Sequence, residues 1–266
     1  MPELPEIETI VRRLHNPCVG RTIENVRVRW PRHIATPSPP QFRRQIQNQR
    51  ILSLARRGKY LVFSLSKDTL LIHLRMSGNL AIEPSDAPQG QYEHTTFCLD
   101  NHYELRFYDV RKFGKVYLVA RPEEILGKLG PEPLDDSFSA KEFAGRLSAR
   151  RRILKPLLLD QTFLAGVGNI YADEALHAAR LHPRHRSDNL SKDQAHRLWR
   201  SLRQVLRDGI RHNGSSIDWV YRGGQHQNHF RVFQRNGHPC HRCGTQVKKM
   251  TVGQRGTHYC PSCQTP

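Results

Sequence analysis

Apolar residues at helical spacing open the chain. Over residues 5–15 one helix face is apolar, and its members are Ile7, Ile10, Val11 and Leu14. Pro5 and Glu6 suit a first helical turn, because proline lacks an N–H that would be unpaired there and an acid faces the positive end of the helix. The pair Asn16-Pro17 is expected to end this helix.

Between residues 21 and 120 the pattern changes to short runs rich in β-branched and aromatic residues, with partial alternation of apolar and polar positions. These runs predict strands in TIENVRVRW, ILSLARRGKYLVFSL, TLLIHLRMSGNLAI, TTFCLDNHYELRFYDV and GKVYLVA. Asp100-Asn101 indicates a hairpin, and the Pro-Ser-Pro-Pro stretch at 37–40 indicates a loop. Several strands with turn signals favour an antiparallel sandwich or barrel.

After residues 129–136, LGPEPLDD, the pattern becomes helical, so this proline- and acid-containing stretch predicts a domain boundary. The expected helices span 139–148, 150–160, 169–181 and a longer segment from Ser191 to Asn213-Gly214. Ser191 is the expected N-cap of the last helix. Lys155-Pro156 is expected to interrupt the second helix.

The charge of the chain narrows the class of partner. Lys and Arg number 42 against 24 acids, which gives a net charge of +18 over 266 residues. Basic side chains bind polyanions by releasing counterions from phosphates, so nucleic acid is expected and an anionic membrane surface is the weaker alternative. No apolar run approaches a membrane span and no signal peptide is recognisable, so we expect a cytoplasmic, nucleoid-associated protein.

Four of the six cysteines form the pattern C-x2-C-x16-C-x2-C near the end of the sequence: Cys240, Cys243, Cys260 and Cys263. This spacing is typical of one structural zinc ion in a closed tetrahedral site. Two disulfides are the alternative, which a reducing compartment disfavours, and nearby His238, His241 or His258 could replace a thiolate. The metal is expected to supply folding energy to a module too small for its own core.

The stretch LAGVGNIYADEAL places two glycines before a predicted helix that starts near Asn169. Glycines permit a tight turn, and the free backbone N–H groups of a helix start can bind phosphate. Close packing of the glycines with Asn169 as an N-cap explains the same residues equally well. The motif alone leaves both interpretations open.

Several motifs occur in an order that spans nearly the whole chain: PELPE, RRGKYL, HLRMSG, DVRKFG, LGPEPL, GVGNIYADEAL and the four-cysteine finger. Together they resemble formamidopyrimidine-DNA glycosylase, whose sister branch is endonuclease VIII. The resemblance implies an α+β multidomain fold. Its parts would be an N-terminal helix with an antiparallel β-sandwich over 1–130, a helical domain with a helix–two-turn–helix over 131–222, and a zinc-finger hairpin with a preceding lesion loop over 223–266. It also implies a monomer that holds damaged double-stranded DNA in a cleft.

The resemblance gives the opening residues a role, although they precede the predicted helix. After removal of Met1, the Pro2 imino nitrogen would be a terminal amine with a pKa near 8, partly unprotonated at neutral pH. It could attack C1′ of a damaged nucleotide and form a Schiff base, as in a bifunctional glycosylase and abasic-site lyase of base excision repair. Glu3 matches the family's general acid/base, and Lys59 its lysine for phosphate contact and proton transfer. Arg255 of the finger matches the arginine required for the second step of β,δ-elimination.

The family fills the gap left by an extruded base with three residues, which match Met76, Arg111 and Phe113 here. Arg111 and Phe113 lie two apart on a predicted strand, so we expect them to share one face. For Met76 and Phe113 alone, core packing would be the better explanation. The resemblance also implies DNA contacts by Tyr92, His94, Arg111, Arg150 and Asn169, with Lys155 adding to the basic wall.

The chain departs from the family pattern in several places. Val110 replaces a proline, Lys112 replaces an arginine, and Tyr92 aligns with a DNA-contacting histidine although His94 stands close by. The stretch RGGQHQNHF at 222–230 is several residues shorter than the loop that usually caps flipped 8-oxoguanine. This length predicts weak excision of 8-oxoguanine and retained activity on formamidopyrimidines, hydantoins or abasic sites.

Two other functions stay open at this point. One is an endonuclease VIII-like glycosylase for oxidised pyrimidines, which RVFQRNGHPC favours slightly and PELPE opposes. The other is a non-catalytic protein that binds damaged DNA with the same charge, finger and wedge. Only Pro2, Glu3 and Lys59 distinguish the enzyme from such a binder.

Overall fold

The computed structural model describes residues 1–216 and 223–265, and these residues form two compact units. The first unit comprises Met1–Lys128 with Asn213–Gly224, and the second comprises Leu129–His212 with Gln225–Pro266. The helices predicted after residue 136 and the cysteine finger therefore belong to the same unit. The three-part division at 130 and 222 stays a prediction.

Among its described residues, the first unit contains three α-helices and nine strands: α1 (Leu4–Cys18), β1 (Thr22–Val28), β2 (Ile34–Thr36), α2 (Pro39–Ile46), β3 (Gln49–Arg57), β4 (Tyr60–Leu65), β5 (Thr69–His73), β6 (Gly78–Pro84), β7 (Glu93–Leu99), β8 (Tyr103–Asp109), β9 (Lys115–Val119) and α3 (Glu123–Leu126). The strands form one sheet in the order β2-β9-β5-β4-β3-β1-β7-β8-β6. All neighbours pair antiparallel except β2 and β9, so the antiparallel pairing expected for the predicted sandwich or barrel is confirmed with one parallel exception. Asp100-Asn101 forms the β7–β8 turn, as predicted.

The core of this unit forms where the inward-facing residues of the strands pack against the apolar face of α1. In β4 the buried residues are Leu61, Phe63 and Leu65, so one face of the strand enters the core. Residues from both halves of the sheet meet α1 and α2 in one apolar cluster, which includes Ile10, Phe42, Phe63, Phe97 and Phe107. This packing gives the connecting loops a rigid support.

Prolines in the first unit lie in helices where loops or ends were expected. The predicted end at Asn16-Pro17 is wrong, because α1 continues to Cys18 with Pro17 in its last turn. Part of the predicted 37–40 loop is also wrong, since Pro39 and Pro40 begin α2. A proline in the first turn loses nothing, because the N–H it lacks would have no partner in the helix there.

The second unit contains α4 (Ala140–Ser148), α5 (Leu154–Leu159), α6 (Asn169–Ala178), α7 (Lys192–Arg211), β10 (Lys248–Val252) and β11 (Arg255–Tyr259). The N-cap prediction for Ser191 is confirmed, because its Oγ accepts a hydrogen bond from Gln194 N at 3.2 Å. The predicted helix 150–160 is too long, and Pro156 lies in the first turn of α5 instead of interrupting a helix. Strands β10 and β11 pair as an antiparallel hairpin.

With these elements, the expected fold class is confirmed: an N-terminal helix, a mainly antiparallel sheet, a helical part and a finger hairpin. Across residues 1–216 and 223–265, the structure has no helix whose length and apolar character would suit a membrane span.

Candidate functional site

The start of the chain is held in place by a buried carboxylate. Glu3 is the N-cap of α1, and its backbone N donates to Glu6 Oε2 at 2.8 Å. The other oxygen, Glu6 Oε1, accepts from Ser215 N at 2.7 Å. Gly214 makes this approach possible, because a Cβ there would lie 2.8 Å from Glu6 Oε1. Pro2 and Glu3 are both buried, so the opening residues have a defined position.

Lys59 lies in the two-residue turn between β3 and β4 and is buried. The Lys59 charge acts on His73, at the end of β5. Burial, together with the charges of Arg75 and Lys59, lowers the pKa of His73 to about 3. His73 is therefore neutral at physiological pH, and its Nδ1 accepts from Arg75 N at 3.0 Å. Sequence reasoning missed His73, because no local pattern places it beside Lys59.

The three predicted wedge residues lie on two loops of the first unit. Met76 is half-buried in the β5–β6 turn, whereas Arg111 and Phe113 are exposed in the β8–β9 loop. The expectation that Arg111 and Phe113 share a strand face is wrong, since β8 ends at Asp109. The loop itself brings the two together, with Arg111 Cζ 4.8 Å from the Phe113 ring centre.

Exposure decides between core packing and a surface role for Phe113. Its side chain is 49% exposed, so the alternative that it belongs to the core is wrong. Val110 in the same loop is also exposed, and Lys112 Nζ lies 4.6 Å from the ring centre of Trp30. The loop therefore presents an apolar ring flanked by cations, which is suitable for insertion into a base stack.

Tyr92 and His94 are placed differently although they are close in sequence. Tyr92 is 42% exposed before β7, while His94 is 7% exposed within β7. The His94 ring packs edge-on against His33 at 5.3 Å, and its Nε2 has no hydrogen-bond partner among the described residues. Tyr92 is thus available to a ligand, whereas burial does not favour the predicted contact by His94.

In the second unit, α6 and the finger hairpin meet at Asn169. Gly168 is the N-cap of α6, so the alternative role of Asn169 as N-cap is wrong. Asn169 Nδ2 donates to Gly256 O at 3.0 Å, while its Oδ1 is buried without a hydrogen-bond partner among the described residues. Arg255, the neighbour of Gly256, is exposed at the start of β11. The structure therefore brings Asn169 and Arg255 to one place, whereas Arg150 lies exposed after α4.

Lys155 does not belong to a basic wall, and that expectation is wrong. Its side chain is 0% exposed, with Nζ 2.6 Å from Asp173 Oδ1. The same ammonium donates to Gly256 O at 2.9 Å and to Thr257 Oγ1 at 2.7 Å. The other oxygen of Asp173 accepts from His258 N at 2.8 Å. The buried pair therefore attaches the hairpin to α5 and α6 beside Arg255.

Glu174 is a further buried carboxylate that sequence reasoning missed. Its oxygens accept backbone hydrogen bonds from Arg231, Val232 and Phe233 at 2.9, 2.9 and 2.8 Å. Burial raises the pKa of Glu174 even though these donors favour its charged form. The carboxylate fixes the segment that leads into the cysteine finger, a long-range contact that has no sequence signal.

The four cysteines of the finger fit a tetrahedral zinc site. Their sulfur atoms all lie within 4.8 Å of one another, and Cys243 Sγ is 3.4 Å from Cys260 Sγ and 3.5 Å from Cys263 Sγ. Thiolates at about 2.3 Å from zinc in a tetrahedron stand about 3.8 Å apart. All six cysteines are free thiols, so the disulfide alternative is wrong. Bound zinc would hold the two cysteine pairs together and so stabilise the hairpin.

The predicted lesion loop is described only in part, because Arg222 lies outside the described residues. His226–His229 forms a short helical turn, and the His226 ring stacks on Tyr171 at 5.4 Å. Burial, with the charges of His212 and His229, lowers the pKa of His226 to about 4. This end of the loop is therefore packed on α6 through a neutral imidazole.

Lys155→Met should lower the free energy of unfolding by about 3–5 kcal/mol, because it leaves the buried Asp173 carboxylate without its cation. Urea denaturation measures this change. Lys141→Met, on the exposed face of α4, should stay within about 0.5 kcal/mol of wild type. Adding Asp173→Asn to Lys155→Met should recover part of the loss. Unchanged stability with a weaker salt dependence of DNA binding would return Lys155 to a phosphate-contact role.

Cys240→Ser should abolish stoichiometric zinc and weaken DNA binding at least about tenfold, because the finger loses the metal that folds it. Atomic emission measures the metal, and fluorescence anisotropy measures binding. Cys98→Ser, in β7 of the first unit, should keep both. Wild-type affinity in zinc-free Cys240→Ser would contradict the structural role of the metal.

Family models match three parts of the chain: the formamidopyrimidine-DNA glycosylase N-terminal domain at 1–116, the formamidopyrimidine-DNA glycosylase H2TH domain at 129–220, and a zinc finger found in FPG and IleRS at 237–266. The formamidopyrimidine-DNA glycosylase of Protochlamydia amoebophila is 43% identical over 274 residues, which cover 99% of each chain.

Two solved structures of Lactococcus lactis Fpg resemble this chain over its length. The complex with DNA that contains an abasic site has a TM-score of 0.93 and 36% identity, covering 99% of this chain and 100% of that chain. The complex with DNA that contains N7-benzyl-Fapy-dG has a TM-score of 0.94 and 37% identity, covering 100% of both. Matched in all three parts, this chain belongs to the formamidopyrimidine-DNA glycosylase family.

Proposed function

We propose that this protein is a bifunctional DNA glycosylase and abasic-site lyase that repairs oxidised bases in double-stranded DNA. Family membership supports the activity, and related structures contain Fpg bound to abasic-site DNA and to Fapy-dG DNA. The observation that carries the proposal is the held chain start, where Pro2 and Glu3 are buried and Glu6 binds the Glu3 backbone. An amine nucleophile must be fixed against its target, and this start is fixed.

The proposed chemistry begins when Met1 is removed and Pro2 becomes a secondary amine. Its nitrogen attacks C1′ of the damaged nucleotide, and the bond to the base breaks with its electron pair leaving on the base. The Pro2 nitrogen then loses its proton, and Glu3 protonates the ring oxygen O4′ as the C1′–O4′ bond breaks, which gives an iminium between Pro2 and C1′. Loss of a C2′ proton then expels the 3′ phosphate. A second elimination expels the 5′ phosphate, and water releases Pro2.

Lys59 is proposed to contact phosphate and to move protons in these steps. Its turn is rigid because it joins two paired strands, and its charge acts on the neutral His73. In the second unit, Arg150, Asn169 and Arg255 are proposed to bind phosphates. The hydrogen bond from Asn169 Nδ2 to Gly256 O holds Asn169 beside exposed Arg255, which supports a joint role in the second elimination.

The wedge loops of the first unit are proposed to open the duplex. Met76 and Phe113 would unstack the step, and Arg111 would bond to the orphaned base. The exposure of Phe113 and its contact with Arg111 support this role. Tyr92 is proposed as a further DNA contact, and the protein is proposed to work as a monomer within the nucleoid.

Lesion preference is the finer part of the proposal. The short 222–230 stretch supports weak excision of 8-oxoguanine, with activity on formamidopyrimidines, hydantoins and abasic sites. A shorter loop covers less of a flipped purine, so fewer contacts hold 8-oxoguanine in the site. One related structure holds L. lactis Fpg with DNA that contains an oxidised pyrimidine. Oxidised pyrimidines therefore belong among the lesions to be compared.

Pro2→Gly should reduce borohydride-trapped adduct on abasic DNA by at least about tenfold, equivalent to about 1.4 kcal/mol of transition-state stabilisation. The secondary amine is lost while the fold remains. Gel electrophoresis measures the adduct, and DNA binding by the variant serves as the control. Mass spectrometry should show wild type without Met1. A trapped adduct in chains that keep Met1 would contradict Pro2 as the nucleophile, and no adduct at all would indicate a binding protein.

Single-turnover excision should be at least about tenfold faster for formamidopyrimidine than for 8-oxoguanine, since the short loop provides fewer contacts to the latter. Duplexes carrying one lesion opposite a known base measure the rates, with an oxidised pyrimidine in the same set. Equal rates for 8-oxoguanine and formamidopyrimidine would overturn the loop argument. Fastest release of the pyrimidine would favour the endonuclease VIII-like alternative.

A further inference from the structure

We propose that Asp109 is a positioning residue that locks the two wedge loops together, so that Met76, Arg111 and Phe113 enter DNA as one unit. This inference rests on the proposed function and adds a residue to it. Asp109 is the last residue of β8 and is 0% exposed, so it touches no DNA itself. It acts through the backbone and hydroxyl groups that it binds.

The Asp109 carboxylate binds both loops at once. Its Oδ1 accepts from Ser77 Oγ at 2.6 Å and from Arg111 N at 3.2 Å. Its Oδ2 accepts from Gly114 N at 2.7 Å. Ser77 follows Met76 in the β5–β6 turn, whereas Arg111 and Gly114 bracket Phe113 in the β8–β9 loop. One carboxylate therefore binds the residue after Met76, the backbone of Arg111 and the residue after Phe113.

Ser77 also links the two loops directly. Its hydroxyl donates to Asp109 and accepts from Arg111 N at 3.0 Å. Strand pairing enforces this proximity, because Gly78 of β6 lies opposite Asp109 of β8. Movement of either loop would break a charge-assisted hydrogen bond inside the protein, where water cannot replace it easily.

Close packing under the loops leaves no room for a side chain at Gly78 or Gly114. A Cβ on Gly78 would lie 2.5 Å from Leu74 O, and one on Gly114 would lie 2.4 Å from the Phe107 ring. Both loops therefore press their backbone onto the core at Phe107. This explains why HLRMSG and DVRKFG each end in glycine.

His33 completes the surroundings of the carboxylate. Its side chain is fully buried, its Nε2 is 3.5 Å from Asp109 Oδ2, and its ring stacks on Phe107 at 4.7 Å. Burial raises the pKa of Asp109, but the interaction with His33 and the hydrogen bonds from Ser77 and Gly114 outweigh it and hold the pKa below its ordinary value. Asp109 is therefore a charged acceptor at neutral pH, which is the form the lock requires.

The contacts of Asp109 matter because Met76, Arg111 and Phe113 must act together. Two apolar groups and a guanidinium must enter one gap in the duplex while the damaged base leaves it. Loops that are already held together lose less entropy when they insert, and small misplacements are costly. A single-stranded abasic site needs no base to be extruded from a duplex, so its reaction with Pro2 should not depend on the lock.

Asp109→Asn tests the inference, because it keeps the shape but places an NH2 group against a backbone donor. Single-turnover excision from a duplex with one formamidopyrimidine should fall on the order of tenfold or more. Trapping on a single-stranded abasic oligonucleotide should stay within about twofold of wild type. Fluorescence of a 2-aminopurine beside the lesion should rise less on binding, because the step is opened less often. Ser77→Ala, a milder change, should show the same pattern with a smaller factor.

Asp100→Asn is the matched control. Its carboxylate also accepts a backbone N–H, from Thr22 at 3.0 Å, but it lies in the β7–β8 turn away from the wedge loops. It should leave both reactions unchanged. Wild-type duplex excision in both Asp109→Asn and Ser77→Ala would overturn the inference, and so would a parallel loss of single-stranded trapping. Absence of trapping in wild type would refute the proposed function instead.

Discussion

Buried carboxylates that accept backbone N–H groups hold the main segments on which the candidate site is built. Glu6 binds the chain start, Asp109 binds the wedge loops, Asp173 binds the finger hairpin, and Glu174 binds the segment before the finger. Loops and termini have few neighbours of their own, so they need strong, directional bonds to stay fixed. A charged acceptor gives bonds roughly twice as strong as a neutral one.

Because several acidic residues are buried in this way, the negative charge lies partly in the interior while the basic excess lies on the surface. The chain carries 42 basic and 24 acidic residues, and several of the acids are buried as acceptors or as partners of buried cations. Those acids add little negative charge to the surface, so the basic excess is available to phosphates. The Lys155–Asp173 pair is the clearest case, since a cation expected on the surface instead serves the interior. Binding of a polyanion and stability of the loops therefore depend on different charges.

Features that depend on neighbours along the chain were predictable from sequence. The alternating strands, the N-cap Ser191 and the spacing of four cysteines are local patterns, and each appears in the structure as expected. Helix ends were less predictable. Prolines at 39 and 156 lie in first turns, where a missing N–H costs little, and Pro17 lies in the last turn of α1. The ordered motifs identified the family, since they cover nearly the whole chain.

The sequence by itself determined the elements, the metal-binding pattern and the family, because these are set by residue type and spacing. Only the tertiary structure decided which side chains meet. It buried Lys155 against Asp173, brought Arg111 onto Phe113 within a loop, and placed Ser77 and Gly114 on one carboxylate. Ser77 and Asp109 are 32 residues apart in sequence, and Lys155 and Asp173 are 18 apart. Whether a charged side chain meets water or a buried partner depends on the chain that folds over it.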